Sequence, residues 1–229
     1  MVVACKLFRV SLPIALDEAF QKLEGFRVEK EDEETKLQLI TEVKDLRFEQ
    51  GVLLGRVFKD GIISVKQREE FRPMLRTLVA PFYFKEMGGS TFLLIFEKKP
   101  RANELANDFS RMLFLRPAGV LEARISPDVM ERYYESSFED ARVVYFDQVD
   151  IPNITKLALY GSALSDTGTY REYLDHGRLW YVVVASKSKR FIVGLTRSCV
   201  VTVFSQVEVG EVASYVFEEV APLVLESQK

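Results

Sequence analysis

The N-terminal half of the chain alternates between apolar and polar side chains over short runs, and this period of two predicts β-strands. Gly51, Gly55 and Gly61 are expected to mark turns or bulges between the runs, and Gly88-Gly89 is expected to form the turn of a hairpin. The expected strands of this half cover residues 2–10, 36–43, 47–58, 62–66, 76–84 and 91–97.

Apolar residues recur at helical spacing in two places in the same half. Ser11 and Pro13 are expected to begin a short helix that ends near Gly25. Pro100 is expected to begin a long helix that ends before Pro117. The acidic run at residues 29–34 is interpreted as a solvated turn.

The second half of the sequence follows a similar plan. Ser126 and Pro127 are expected to begin a short helix, Asp166 another, and Val209 the closing helix. The closing helix carries valines at helical spacing, which predicts one apolar face. The expected strands of this half cover residues 120–125, 141–146, 157–160, 179–185, 191–196 and 199–205.

The order strand, short helix, antiparallel strands and long helix thus occurs twice. We predict an α+β fold of antiparallel sheets with packed helices, arranged as two similarly ordered halves. The Arg116-Pro117-Ala118-Gly119 segment is the expected boundary. Residues 1–118 would form an N-terminal α+β region and residues 119–229 a C-terminal α+β region.

Several classes of functional site are unsupported by the residue types present. His176 is the single histidine, and Cys5 and Cys199 are the two cysteines, which is too few for a zinc site or a disulfide framework. The sequence contains no phosphate-binding loop and no G-x-S-x-G motif. We therefore expect a protein that is not an enzyme, with no catalytic residues, no metal and no cofactor.

Charge and hydropathy narrow the interpretation further. The formal net charge of −3 gives the chain no general attraction to nucleic acid or to acidic membranes. No apolar run approaches the ~20 residues of a spanning helix, and the N-terminus lacks the pattern of a signal peptide. We expect a cytoplasmic protein without membrane association, in which any polyanion site arises from local clustering of charge.

One segment of the chain is locally basic. Residues 178–205 contain five basic residues and no acidic residue. Flexible cationic side chains at the tip of a hairpin neutralise phosphates and release counterions, so this segment predicts contact with nucleic acid. The alternative is a solvated turn whose lysines protect strand edges from aggregation. The basic residues are Arg178, Lys187, Lys189, Arg190 and Arg197.

A second basic set precedes it in the chain. Arg56, Lys66 and Arg68 would extend the first set into a continuous groove if all of them shared one sheet face. Most aromatic residues lie at core spacing. Tyrosines at positions 133, 134, 170 and 173 are the candidates for exposed rings that stack on bases or contact a protein.

Two other classes of function stay open at this point. The chain is alternatively a small-molecule-binding α+β module, with a ligand held between a sheet and a helix in an apolar cavity behind residues 179–204. Asp147, Asp150 and Lys156 also resemble the carboxylate and lysine set of a metal-dependent nuclease, although the spacing is not diagnostic.

Two stretches together resemble a known family. They are FRPMLRTLVAPFYFKEMGGSTFLLIFEKKPRANELANDFSRMLF at residues 71–114 and DIPNITKLALYGSALSDTGTYREYLDHGRLWYVVVASKSKRFIVGLTRSCVVTVFS at residues 150–205. In element order and composition the chain is similar to archaeal stand-alone proteins that supply the N-terminal, L1 and L2 regions missing from short prokaryotic Argonautes.

The resemblance implies a non-catalytic accessory subunit for prokaryotic defence. Its partner would be an Argonaute-like protein with the MID and PIWI domains, and the two chains would form a heterodimer. The accessory subunit would complete the channel around the guide and target nucleic acid. The resemblance carries no signature motif, so it assigns no individual site residue.

Overall fold

Antiparallel strands dominate the structure, a computed structural model that describes residues 2–136, 142–186 and 191–228. The strands are β1 (Val3–Val10), β2 (Arg27–Glu31), β3 (Gln38–Glu49), β4 (Val52–Gln67), β5 (Glu70–Met87), β6 (Ser90–Ile95), β7 (Val120–Glu122), β8 (Val143–Asp147), β9 (Leu157–Tyr160), β10 (Arg178–Ala185), β11 (Ile192–Thr196) and β12 (Val200–Val203). The prediction of an α+β fold is confirmed, with sheet predominating over helix.

The cap expected at Ser126 is confirmed, whereas the helix expected from Ser11 and Pro13 begins at Leu16 without a side-chain cap, and the one expected from Asp166 begins after Thr167. Ser126 caps α3 by accepting a hydrogen bond from the Val129 amide, and Thr167 caps α4 through the Tyr170 amide. A π-helical turn at Val216–Val220 precedes α6, where Pro222 lacks the amide that a regular helix needs. The helices are α1 (Leu16–Leu23), α2 (Lys99–Phe114), α3 (Pro127–Glu135), α4 (Gly168–His176), α5 (Val209–Tyr215) and α6 (Ala221–Glu226), with a 3₁₀ turn at Leu164–Asp166.

The chain divides into two compact units. The N-terminal unit comprises Val10–Ile95 and Glu104–Val120, and the C-terminal unit comprises Met1–Arg9, Phe96–Asn103 and Leu121–Lys229. The division into residues 1–118 and 119–229 stays a prediction. The structure groups two segments of the first range with the C-terminal unit, and a repeated order of elements in two halves is not clear.

In the N-terminal unit, β2 to β6 follow one another as an antiparallel meander. Its core contains an aromatic cluster in which Phe82 and Phe84 of the sheet contact Phe109 of α2, with ring centroids 4.7 and 5.6 Å apart. The hairpin between β5 and β6 is confirmed, and both turn residues, Gly88 and Gly89, have positive φ.

The prediction of a turn or bulge is correct at Gly51 and wrong at Gly61, whereas Gly55 lies opposite a bulge of β3 between Lys44 and Arg47. The turn lies at Gln50-Gly51, and β4 continues through Gly55 and Gly61. A Cβ atom on Gly55 would lie 2.9 Å from the Phe82 ring, so this glycine makes room for a core side chain.

The turn predicted for residues 29–34 is wrong in its first part. Residues 29–31 belong to β2, which is the edge strand of this unit and pairs with β3. Every residue of β2 is exposed. Arg27 forms ion pairs with Glu29 and Glu42, at 2.7 and 3.1 Å. A charged edge strand resists pairing with other strands, which reconciles the polar sequence with a β conformation.

In the C-terminal unit the strand order is β1-β12-β11-β10-β8-β9, with β7 beside β1. Burial alternates along β8 and β12, whereas β10 and β11 each contain three consecutive buried residues. Phe146, on the buried face of β8, contacts the Tyr170 and Tyr173 rings of α4. Cys5 and Cys199 are both fully buried as free thiols, and burial raises the pKa of each.

A lysine is buried in this unit. Lys6 of β1 is fully buried, donates a hydrogen bond of 2.6 Å to Asn103 Oδ1 and forms an ion pair with Glu122 of β7. Burial lowers the pKa of Lys6, against the opposing effect of Glu122. The ion pair links β1 to β7. Removing either partner would be destabilising, because the other would remain as a poorly hydrated, unpaired charge.

No helix in the described parts of the chain is long and apolar enough to cross a lipid bilayer.

Four tyrosines form a buried cluster around α3. The Tyr133 and Tyr215 hydroxyls are hydrogen-bonded at 3.0 Å, whereas the buried hydroxyls of Tyr134 and Tyr170 have no hydrogen-bond partner among the described residues. Burial raises the pKa of Tyr133 to about 12 and raises the pKa of the other three. The expectation of exposed tyrosines at positions 133, 134 and 170 is therefore wrong.

These tyrosines predict sensitivity to alkaline pH. Their pKa values in the folded protein are raised above those in the unfolded chain. Their stabilising contribution is therefore complete below about pH 10 and is lost as pH rises further, by about 1.4 kcal/mol per pH unit for each group. Tyr134→Phe is expected to preserve stability at pH 7 and to reduce the loss above pH 10, in urea unfolding curves measured between about pH 7 and 11.

Tyr133→Phe is the matched control, because it removes the hydrogen bond to Tyr215 and is expected to cost about 1 kcal/mol at pH 7. A Tyr134→Phe protein that loses stability above pH 10 as steeply as the wild type would contradict the prediction.

Candidate nucleic-acid interface

The C-terminal unit presents four aromatic side chains at or near the solvent side of its sheet. Tyr145 of β8, Tyr160 of β9, and Trp180 and Tyr181 of β10 form this group, which we call the aromatic platform. Tyr160 is 67% exposed, and the other three are partly exposed. Their neighbours in β8 and β10 point into the core, so the platform follows from strand alternation.

An irregularity in β10 brings two consecutive aromatic residues together. The pairing of β10 with β8 shifts register between Leu179 and Tyr181, so Trp180 is an extra residue opposite β8. Both Trp180 and Tyr181 therefore stack on Tyr145, with centroids 5.8 and 5.4 Å away and interplanar angles of 17° and 23°. A regular strand would place consecutive side chains on opposite faces.

The outer edge of the platform is Tyr160. Its ring meets Tyr145 edge-on, with centroids 5.9 Å apart, and the two hydroxyls are hydrogen-bonded. This hydrogen bond, followed by desolvation, raises the pKa of Tyr160. The two rings thus hold each other in a fixed orientation, which lowers the entropic cost of stacking a ligand on them.

The inner part of the platform lies over a glycine. A Cβ atom on Gly194 of β11 would lie 2.3 Å from the Tyr181 hydroxyl oxygen and 2.9 Å from two ring carbons. Tyr181 consequently packs flat across β11. Gly194 is required here for the close approach of a side chain, since its φ is not positive.

Two cations border the platform. The Lys156 ammonium lies 4.8 Å from the centre of the Trp180 ring, which is a cation–π contact. Arg197 forms an ion pair with both carboxylate oxygens of Asp147, and its backbone amide donates a 2.9 Å hydrogen bond to the Trp180 carbonyl. Arg197 thus fixes the position of the β10 irregularity from the turn after β11.

A cleft of about 650 Å³ adjoins Trp180 within the same unit. The buried indole N–H of Trp180 has no hydrogen-bond acceptor among the described residues. Charged side chains of both signs line the cleft, which therefore differs from the apolar cavity expected for a small-molecule site. They belong to Lys99, Glu122, Arg124, Asp147 and Arg197.

The structure places the basic residues of segment 178–205 differently from one another. Arg178 is exposed and lies 3.4 Å from the Leu174 carbonyl oxygen, whereas Arg197 is largely buried and paired with Asp147. Lys187, Lys189 and Arg190 lie outside the described residues. Phosphate contact by these five residues stays a prediction.

The second basic set belongs to the N-terminal unit. Arg56 is paired with Asp45 and lies 5.3 Å from the centre of the Phe58 ring. Lys66 and Arg68 are exposed at the far end of β4 and in the following turn. Arg56 and Lys66 share a face of β4 but are ten residues apart, about 33 Å along the strand, so they do not form one cluster.

The carboxylates considered for a nuclease site have other partners. Asp147 binds Arg197, and the Asp150 carboxylate lies 2.8 Å from Nδ1 of His176. Within the described ranges, no group of three or more histidine, cysteine or acidic side chains is arranged to hold a metal ion.

Sequence reasoning missed Tyr145 and Tyr160. Both lie in strands that the sequence predicts, at the positions that alternate with the more buried residues. This alternation was the available signal, because an aromatic residue at such a position faces away from the core. Their association with Trp180 depends on strand order and on the register shift, neither of which a single sequence displays.

Comparison with known proteins gives no match: no protein-family model fits the sequence, and no curated protein is significantly similar to it. The function proposed below therefore rests on the geometry of the platform and on the sequence.

Gly194→Ala tests the packing of the platform. The added methyl group is expected to displace the Tyr181 ring, to cost about 1–3 kcal/mol of unfolding free energy, and to shift the emission of Trp180, whose ring centre is 5.9 Å from that of Tyr181. Trp180 is the single tryptophan, so its fluorescence reports this site alone.

Gly210→Ala is the control, since nothing lies within 4 Å of the added Cβ in α5. It is expected to stabilise the protein by about 0.5–1 kcal/mol and to leave Trp180 emission unchanged. Equal stability and equal emission for the two variants would show that Tyr181 does not pack on Gly194.

Proposed function

We propose that the chain is a non-catalytic protein that binds nucleic acid by stacking unpaired bases on the aromatic platform. The observation that carries the proposal is the exposed or partly exposed cluster of Tyr145, Tyr160, Trp180 and Tyr181 with Lys156 beside it. Aromatic rings on a sheet face stack on bases of any sequence, because every base has a π face.

The two kinds of contact have separate roles. Base stacking contributes about 1–3 kcal/mol for each base and tolerates any sequence. Lys156 and Arg178 are exposed and can attract phosphates. The sequence predicts further phosphate contacts by Lys187, Lys189 and Arg190. Affinity is therefore expected to depend on both exposed rings and salt concentration.

The resemblance of residues 71–114 and 150–205 adds a partner to the proposal. The partner is an Argonaute-like protein with MID and PIWI domains, and this chain is its accessory subunit on the guide and target nucleic acid. Co-expression of the two chains, followed by size-exclusion chromatography, tests this part separately. Elution as two independent proteins would remove the partner and leave the stacking proposal standing.

Oligonucleotide titration monitored by Trp180 fluorescence tests the stacking. Single-stranded DNA or RNA is expected to quench the emission, because a base stacked on the platform approaches the indole. A duplex of the same length is expected to bind more weakly. The affinity should fall as salt rises, with a logarithmic slope of about −0.7 for each phosphate neutralised.

Tyr160→Ala and Lys156→Ala are each expected to weaken single-strand binding by about tenfold, which corresponds to 1.4 kcal/mol. Lys36→Ala is the matched control, since Lys36 is an exposed cation of the N-terminal unit. Wild-type affinity in both platform variants would contradict the proposal, and so would equal losses in all three.

The predicted basic turn has its own test. Replacing Lys187, Lys189 and Arg190 together by alanine is expected to make the slope of log affinity against log salt concentration less negative by about 2. Each of the three lost phosphate contacts accounts for about 0.7 of this change. Quenching of Trp180 at saturation should persist, because the platform is intact. An unchanged slope would mean that this turn contacts no phosphates.

The cleft beside Trp180 favours a second candidate function, binding of a small polar ligand. Its specific observation is the buried indole N–H without an acceptor, next to charged side chains of both signs. Mononucleotides and short oligonucleotides in the same titration separate the two candidates. Saturable quenching by a mononucleotide that added nucleotides do not strengthen would favour the small-molecule site.

A further inference from the structure

The N-terminal unit extends a two-stranded ribbon beyond its meander. β3 pairs with β4 only as far as Lys59, and β6 pairs with β5 only from Phe82 onward. Between these points β4 and β5 pair with each other alone, around the turn at Arg68. We call residues 60–77 the ribbon. Two strands without a third neighbour are marginally stable in water, so a covering partner would stabilise them.

Large apolar side chains on the ribbon face solvent on both sides. Their exposed fractions range from 38% for Ile63 to 68% for Phe71. Pairing places Ile62 opposite Leu75 on one face and Ile63 opposite Met74 on the other. Exposed apolar surface of this extent marks an interaction site. The exposed apolar residues of the ribbon are Ile63, Phe71, Met74 and Leu75.

The composition of the ribbon favours a protein as its partner. Aromatic residues, methionine and arginine are enriched in protein interfaces, and the ribbon combines Phe71 and Met74 with three exposed arginines. A nucleic-acid groove would leave most of the apolar side chains on the second face uncovered. Both faces of the ribbon are therefore better covered by a protein surface.

The ribbon is basic on an acidic chain. Residues 60–77 contain four basic residues and three acidic ones, a formal charge of +1, whereas all other residues together sum to −4, which gives the chain its net charge of −3. Asp60, at the base, accepts hydrogen bonds from Thr77 and the Ile40 amide, and Glu70, near the tip, forms an ion pair with Arg72 at 3.3 Å. The basic residues are Lys66, Arg68, Arg72 and Arg76.

The same unit carries a surface of opposite charge. β2 is an edge strand, and with its turn it presents Glu29, Glu31, Asp32, Glu33 and Glu34. Glu33 and Glu34 are exposed and form no ion pair with described residues. The backbone of β2 pairs on one side only, and its exposed charges disfavour a neutral or like-charged strand but leave the edge open to a segment of opposite charge.

We propose that the chain self-associates through these surfaces, with the ribbon of one copy docked on β2 and the acidic turn of a second copy. The contact is reciprocal, so each protomer gives a ribbon and receives one, as in a two-fold dimer. Charge complementarity selects the docking site, and the apolar side chains of the ribbon supply the buried area. This dimer is independent of the aromatic platform.

Sedimentation velocity over a concentration series tests the proposal. The wild-type protein is expected to dimerise. Arg72→Glu with Arg76→Glu makes the ribbon acidic, and Glu33→Arg with Glu34→Arg makes the turn basic. Each double variant alone is expected to raise the dimer Kd by at least about tenfold, because each homodimer then juxtaposes like charges.

An equimolar mixture of the two double variants is the decisive sample. In the mixed dimer, the acidic ribbon meets the basic turn and the basic ribbon meets the acidic turn, so near wild-type association is expected. The double variant Phe71→Ser with Leu75→Ser should weaken dimerisation, and mixing it with either charge variant should not restore association. Phe48→Ser is the control, since Phe48 is 45% exposed on the same unit but lies outside the ribbon.

Circular dichroism of each variant separates loss of docking from loss of fold. A wild-type protein that stays monomeric up to about 100 μM would overturn the proposal. Failure of the mixture to associate, with both variants folded, would also overturn it. If the wild-type protein is monomeric and the ribbon variants lose oligonucleotide binding, the ribbon would be assigned to nucleic acid instead.

Discussion

The C-terminal unit depends on a sheet whose two faces meet different surroundings. One face of β8, β10 and β11 is buried, where Phe146 contacts the rings of α4. On the other face, Tyr145, Trp180 and Tyr181 remain partly accessible to water. Side chains at these positions must therefore both pack against neighbours and contact solvent. Tyrosine and tryptophan meet this requirement, because each combines a large apolar ring with a polar atom.

The arrangement of the platform depends on a departure from strand regularity. The register shift beside Trp180 gives one strand two consecutive aromatic side chains that reach Tyr145. Arg197 and its hydrogen bond to the Trp180 carbonyl secure this local geometry, while Asp147 neutralises the arginine. Arg197 consequently has a positioning role in the structure, and its contact with phosphate stays a prediction.

Local chemistry explains which parts of the fold were predictable. The Gly88-Gly89 hairpin, the helix that begins near Pro100 and the Ser126 cap are each specified by neighbouring residues, and all are present. The packing role of Gly55 was not predictable, because it depends on Phe82, which is 27 positions later in the sequence. The platform was missed for the same reason, since it joins three strands that only the sheet order brings together.

The two cysteines give the chain a further property. Cys5 and Cys199 are fully buried, and the raised pKa of each keeps it in the thiol form at neutral pH. Oxidants and alkylating reagents react with the accessible thiolate, which these residues do not present in the folded state. The two thiols of the folded protein are thus shielded from the redox state of its surroundings, and they become reactive only when the sheet around them opens.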